Sequence, residues 1–438
     1  MAEPVPNPSR LARVVGGAIL LEPGEARPLL VSALYFFLLL LSYYLLRPMR
    51  EAFGVARGAD SLPWLMTGTL LAMLVANPAF SALVSRLPRR RFIPVAYRFF
   101  EVNAVLFALA LVLFPAAGTW LGYAFYIWLS VFNLFVVSVF WAFMADGFSE
   151  AQGKRLFSVI AVGGTLGAIA GAWLAGALMT GLQAFSGRPR LGPPALILLS
   201  AVVLEAAVKC VQTLADRFGM GQEAGGPREP GPGPLEGLRR VAVSPYLRLI
   251  SVYLLLFTIA STLLYLAQGR IVAAAFKDQA ARAAAFARLD LWTNLLTLGV
   301  QLFLAGRLIR GAGVPAVLLL LPVLTLGGFA ALAAWPLFTT LAVFQVARRG
   351  LHYAVDRPAR ETLYIPLEPD DRYKAKPFID TFVYRGGDLV GVWMPSALAA
   401  LGLAAAPAAV GVSALWLGSG AWLGRLVRNL GRPTDRPQ

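Results

Sequence analysis

One cysteine, Cys210, and one histidine, His352, are all that 438 residues offer of either type. Neither a disulfide framework nor a Cys/His metal cluster is therefore open to this chain. The phosphate loop G-x-x-x-x-G-K-S/T is also missing, which sets aside pumping driven by nucleotide hydrolysis. No catalytic residue, metal or cofactor is expected, and the chain does not read as an enzyme. Charge is scarce as well: 14% of residues are Asp, Glu, Lys or Arg, whereas 58% are hydrophobic and the mean hydropathy is +0.67. Soluble domains hold about 45–50% apolar residues, and the excess here falls in runs long enough to cross a bilayer. The N-terminus lacks a secretory leader pattern, because "VVGGAILL" is short and is followed by acids and prolines.

The apolar runs predict twelve spans, near 29–48, 61–84, 92–114, 119–144, 156–180, 193–214, 246–268, 286–308, 313–334, 336–357, 377–403 and 405–426. The expected fold is an all-α membrane protein with twelve transmembrane helices in two six-helix bundles, 29–214 and 246–426. A Gly- and Pro-rich linker, 215–245, divides them, with a segment 1–28 before and a tail 427–438 after. Placing both termini in the cytoplasm puts 24 of the 39 Lys and Arg residues in inner segments and eight in outer loops. That bias orients a multi-pass protein of the plasma membrane, the inner membrane if the source is bacterial. It also accounts for most of the net charge of +16 through anionic lipid, with no nucleic-acid partner.

The halves echo each other. "LVSRLPRRRFIP" after the second span matches "LAGRLIRGAGVP" after the eighth, and these look like eroded copies of a loop of the major facilitator superfamily. "SEAQGKRLFSVIAVGGTLG" entering the fifth span parallels "EPDDRYKAKPFIDTFVYRGGDLVG" entering the eleventh. Gly163, Gly167 and Gly171, at four-residue spacing, read first as small residues that let two helices approach.

Seven bases fall inside predicted spans, where a central charge costs about 2.5–3.5 kcal/mol and so calls for a cavity or a partner. Arg248 and Arg288 lie near span ends, and Lys209 has Glu205 one turn away. Arg98 with Glu101, Arg348 and Arg349, and Arg385 with Asp388 lie deeper. On the tenth span Arg349, His352, Tyr353, Asp356 and Arg360 form one stripe at helical spacing. On the eleventh, Asp380, Tyr384 and Asp388 share a face. The first span ends "SYYLLRPMREAFGV": Tyr43, Tyr44, Arg47 and Arg50 there are either interfacial anchors or the mouth of a central cavity. Guanidinium groups bind phosphate or carboxylate oxygens bidentately, so an anionic solute is expected.

"LLRPMREAFGV", "FWAFMADGFSEAQGKRLF" and above all "RETLYIPLEPDDRYKAKPFIDTFVYR" resemble the signature segments of the ATP/ADP translocase family, a branch of the major facilitator superfamily. The resemblance implies nucleotide exchange by alternating access. It carries roles onto Arg50 with Glu51, Lys154 and Arg155, Arg360 with Glu361, Lys374 and Lys376, and Asp380 with Arg385. The fourth span departs from that pattern: it holds no charge, and Asn133 is its only carboxamide.

The expected protein is a secondary transporter for a phosphate-bearing anion, acting as a monomer in the bilayer. Substrate contacts are expected from Tyr43, Tyr44, Arg47, Arg50, Arg98, Asn133, Arg348, Arg349, Tyr384 and Arg385. Gating or coupling is expected from Glu51, Glu101, Lys154, Arg155, Asp290, Asp356, Arg360, Glu361, Lys374, Lys376, Asp380 and Asp388. Two other readings remain open: a facilitator for another organic anion, coupled to protons through Glu101, Asp290 or Asp388, and a scaffold or receptor that binds a solute without moving it.

Overall fold

A computed structural model describes residues 22, 24–86, 89–186, 192–220, 234–364, 367, 375–376 and 378–430. The first half holds α1 (Ala26–Gly54), α2 (Leu62–Arg86), α3 (Arg89–Leu113), α4 (Gly118–Gly147), α5 (Glu150–Ser186) and α6 (Gly192–Phe218). A short α7 (Pro234–Val243) leads into α8 (Pro245–Ala275), α9 (Gln279–Phe303), α10 (Ala305–Ala334), α11 (Phe338–Leu351), α12 (Arg357–Glu361), α13 (Tyr384–Ala400) and α14 (Ala405–Leu430). Helix α7 forms where the sequence reads as a linker; it packs against α8 and buries Val241.

Among the described residues, nine helices are long and apolar enough to cross a membrane. The other three long segments, α9, α11 with its continuation and α13, complete the twelve. Helix α9 carries Arg282, Arg288 and Asp290, whereas α11 and α13 are only 14 and 17 residues long, cut short at the π-turns, and carry Arg348 and Arg349, then Arg385 and Asp388.

Within the first half α1 packs on α5, α6 and α4, and α3 packs on α6; within the second, α8 packs on α13 and α14, and α10 on α14. The glycine row explains the first of these contacts. A Cβ added at Gly163, Gly167 or Gly171 would land on the carbonyl oxygens of Ala33, Phe37 and Leu41, so only hydrogen lets α5 lie against the α1 backbone. Gly387 and Gly391 do the same for α13, against the carbonyls of Leu255 and Ile259 on α8. The echo between the fifth and eleventh spans is therefore one packing device used twice.

Two five-residue π-turns, His352–Asp356 and Ile379–Val383, continue α11 and precede α13. Each widens the turn locally, which re-aims the side chains that follow. Neither is visible in a pattern read at the α-helical period.

Candidate functional site

The two halves meet around a cavity of about 230 Å3. One wall comes from α1, α2 and α4 through Tyr43, Arg50, Thr69, Ser130 and Asn133; the other comes from α13 through Arg385 and Asp388. Chain direction places the end of α1 on the face opposite the termini, here termed the distal face.

Toward that face the cavity is sealed by polar contacts between the halves. The Arg50 guanidinium lies 3.8 Å from the Tyr126 ring centroid, donates through Nε to Ser130 Oγ at 2.9 Å, and pairs with Glu51 at 2.6 Å. Glu51 is buried, and its other oxygen accepts from the Tyr265 hydroxyl of α8 at 2.6 Å. Tyr265 and Tyr126 share a hydrogen bond of 2.7 Å. Beside them Asp290, 4% exposed, receives two guanidinium groups on the same oxygen: Arg47 of α1 at 2.9 Å and Arg349 of α11 at 2.8 Å. Arg282 donates to the carbonyl of Val55 at 2.8 Å, and Trp393 donates to Thr67 Oγ1 at 3.1 Å. Breaking a buried charge pair by removing one partner costs about 3–5 kcal/mol, so this layer is strong as well as specific.

At the end bearing the termini, the described ion pairs stay within one half. Arg155 pairs with Glu22 at 2.9 Å and with Glu25 at 3.0 Å, tying the start of α5 to the start of α1. The Glu25 carboxyl is held below the usual carboxylate range, first by the backbone N–H of Glu22, then by Gln152 and Arg155. Lys376 pairs with Glu361 at 2.6 Å, joining the segment after α11 to the one before α13.

The structure separates residues that the sequence grouped. Tyr43, Arg50, Asn133, Arg385 and Asp388 line the cavity; Arg47, Tyr44, Glu51, Arg349 and Asp290 stand in or beside the seal. Arg385 pairs with Asp388 at 3.2 Å, yet its side chain stays 41% exposed.

Several expectations are corrected. Arg98 does not face the cavity: it lies on the outer surface, donating two bonds of 2.9 and 3.1 Å to Glu205 of α6, with Glu101 beside it on α3. The single stripe on the tenth span is split by the π-turn. Arg349 keeps its place against α9, whereas His352 and Arg360 both reach Asp356, at 3.0 and 3.1 Å, inside the second bundle. Asp356 also accepts from the Tyr253 hydroxyl. Asp356 and Arg360 thus hold one half together instead of gating between halves. Arg348 is buried there too, bonded to Thr325 at 3.0 Å and Ser261 at 2.7 Å and lying near the Phe257 ring. Tyr384 packs beside Phe257 with ring centres 6.0 Å apart, and Asp380 is exposed on its π-turn. Arg155, Glu361 and Lys376 tie elements of their own half. Lys374 and the side chain of Lys154 lie outside the described residues.

Sequence reasoning missed Tyr126, Tyr265, Arg282 and Trp393. Tyr126, Tyr265 and Trp393 are single aromatic residues in apolar runs and Arg282 lies in the connection before the eighth span, none with a spacing signal; only the meeting of the halves marks them.

Solved structures similar to this one share its architecture. A bacterial homologue of the human lysosomal transporter Spinster, in an inward-facing and unoccupied conformation, aligns with TM-score 0.58 at 15% identity over 94% of this chain and 96% of its own. A mutant of the nucleoside transporter NupG aligns with TM-score 0.60 at 13% identity over 92% of this chain and 100% of its own. A bacterial homologue of the iron transporter ferroportin, in an inward-facing state, gives TM-score 0.57 at 15% identity over 97% and 100%. No protein-family profile and no curated protein matches the chain. The fold is that of the major facilitator superfamily: an all-α membrane protein of two six-helix bundles around a central cavity.

Proposed function

We propose that the chain is a secondary transporter that moves an anionic, phosphate-bearing solute by alternating access, with nucleotide exchange of the ATP/ADP type as its leading activity. The observation that carries this reading is the cavity with Arg50 on one bundle and Arg385 on the other, flanked by Tyr43, Ser130 and Asn133. Two guanidinium groups on opposite walls hold an anion only when the walls are close, so binding and closure are coupled. The tyrosine supplies a ring for a planar base, and the amide and hydroxyl supply directional bonds. The distal seal leaves the cavity on the side of the termini, which matches one extreme of a rocking cycle.

The charge inventory favours a second reading. Leaving aside Arg282, whose guanidinium is taken up by the backbone carbonyls of Val55 and Phe276, the arginines of the cavity and seal, Arg47, Arg50, Arg349 and Arg385, face Glu51, Asp290 and Asp388, a surplus of one positive charge. Such a site takes a single anionic group readily and several only if a carboxylate is neutralised. Asp388, bonded to Thr262 at 3.1 Å in the cavity wall, is placed to take that proton, which fits proton-coupled movement of an organic anion.

Purified protein in liposomes loaded with ADP decides between the two. Exchange of labelled ATP without a pH gradient, lost in Arg385→Ala while the protein remains folded, supports nucleotide exchange. Uptake of a smaller anion that requires a proton gradient and vanishes in Asp388→Asn supports the second reading. Binding with no flux of any anion rejects both in favour of a non-transporting scaffold.

A further inference from the structure

A second cavity, of about 220 Å3, lies in the distal part of the second bundle between α8, α10, α13 and α14, and shares no residue with the central one. Leu263, Leu266, Phe329, Leu332, Pro395 and Ala409 form its inner wall and are buried, whereas Ala333, Pro336 and Ala406 at its rim are exposed. Packed interiors leave few voids larger than a water molecule. An apolar cavity of about 150 Å3 already stays dry and takes an apolar molecule of benzene size, so this one calls for an apolar occupant. Arg270 is the charged residue on its lining; the side chain is exposed and, among the described residues, has no hydrogen-bond or ion-pair partner. It stands five residues before the end of α8, roughly 8 Å from the distal tip, and Leu263 lies roughly 10 Å deeper. The cavity thus runs from a free guanidinium toward the middle of the membrane, as a lipid chain runs from its headgroup. The turns beside its rim are apolar: Trp335, Leu337, Leu401 and Leu403 are 56–73% exposed. Such residues, a tryptophan among them, suit the boundary of a leaflet and not open water.

We propose that this cavity binds one acyl chain of an anionic phospholipid of the distal leaflet, with Arg270 on the lipid phosphate. The guanidinium fork matches phosphate oxygens bidentately, and the apolar wall below it takes the chain. The apolar rim lets that chain enter from the bilayer with its headgroup kept at the surface. Helix α8 turns Tyr265 and Gln268 to its other side, where they bond Glu51 and Gln345 at 2.6 Å each. The bound chain therefore backs the helix that carries part of the distal seal.

The test titrates full-length protein in a neutral maltoside detergent with phosphatidylglycerol that carries a photoactivatable diazirine on one chain, and maps the labelled peptides by mass spectrometry. Label is expected to concentrate in residues 263–271 and 405–409. Arg270→Gln should lower labelling there about tenfold, the worth of one hydrogen bond to a charged group. Diacylglycerol with the same labelled chain but no phosphate should label the native protein as weakly. Ala267→Phe, which fills the cavity from α8, should remove the label from both segments, with melting curves showing that each variant folds. Label spread evenly over the lipid-facing helices overturns the proposal, as does labelling of these segments unmoved by Arg270→Gln. Displacement by palmitate at a lower concentration than by unlabelled phosphatidylglycerol also overturns it, assigning the cavity to a free fatty acid.

Discussion

Asp290 is the residue on which the two halves converge, because one of its oxygens holds a guanidinium from each. Replacing it with Asn leaves Arg47 and Arg349 close together with no counter-ion. The expected result is a loss of about 3–5 kcal/mol in the closed form, read as a lower melting temperature in detergent. A cysteine-accessibility assay should also show the cavity opened toward the distal face. Tyr265→Phe is the milder version: it removes a donor to Glu51 but no charge, so distal access should rise with a smaller drop in melting temperature. Half of this centre was legible beforehand. Arg47, Arg50, Arg349 and Asp290 stand out as charges in spans, whereas Tyr265 does not, since tyrosine is ordinary in a transmembrane helix. Arg98 misled for the complementary reason: a charge deep in a span looks the same in sequence whether it faces a cavity or the lipid.

Helix pairs set the stiffness of each half. Gly167→Val drives a branched side chain onto the carbonyl of Phe37, and the expected penalty is about 1–3 kcal/mol or more, because backbone cannot step aside as a flexible side chain can. Gly418→Ala in α14 meets open space and should be neutral, or stabilising by up to about 1 kcal/mol. Paired melting curves of these two variants check the contrast. The tie between α1 and α5 responds to pH. With its folded-state pKa lowered, Glu25 contributes stability that is present above the unfolded carboxylate value of 4.5 and is lost as pH falls through that range. The melting-temperature gap between the native chain and Glu25→Gln should accordingly be open at pH 7 and close as pH falls below the unfolded carboxylate value and through the lower folded one. The four-residue glycine spacing was readable because close approach demands a fixed period. The π-turns were not, because one extra residue in a turn leaves no mark in the composition of "HYAVD" or "IDTFV".

At the scale of the whole molecule, the seal near the end of α1 and the cavity below it correspond, under the proposed transport cycle, to one of its two states. A thiol placed at Asn133 in the Cys210→Ala background should react with a membrane-impermeant reagent from the side of the termini and stay protected from the distal side; the reverse pattern would contradict the closed distal face described above. The twelve-helix plan was legible because hydropathy over a whole span is a strong signal. The division of roles among arginines was not, since it depends on which helices neighbour which across a boundary that hydropathy does not see.

The uneven polarity of the helices bears on how the chain reaches the bilayer. Helices α9, α11 and α13 carry charge inside the membrane, and α11 and α13 are also short at 14 and 17 residues, so each partitions less readily into lipid alone than the apolar neighbour or packing partner it follows. During synthesis they emerge after α1 and α8, so Arg47 and the α8 hydroxyls of Ser261 and Thr262 are already present to receive Asp290, Arg348 and Asp388. A ribosome-bound fragment ending after α9 should hold that helix in the membrane only when α1 precedes it.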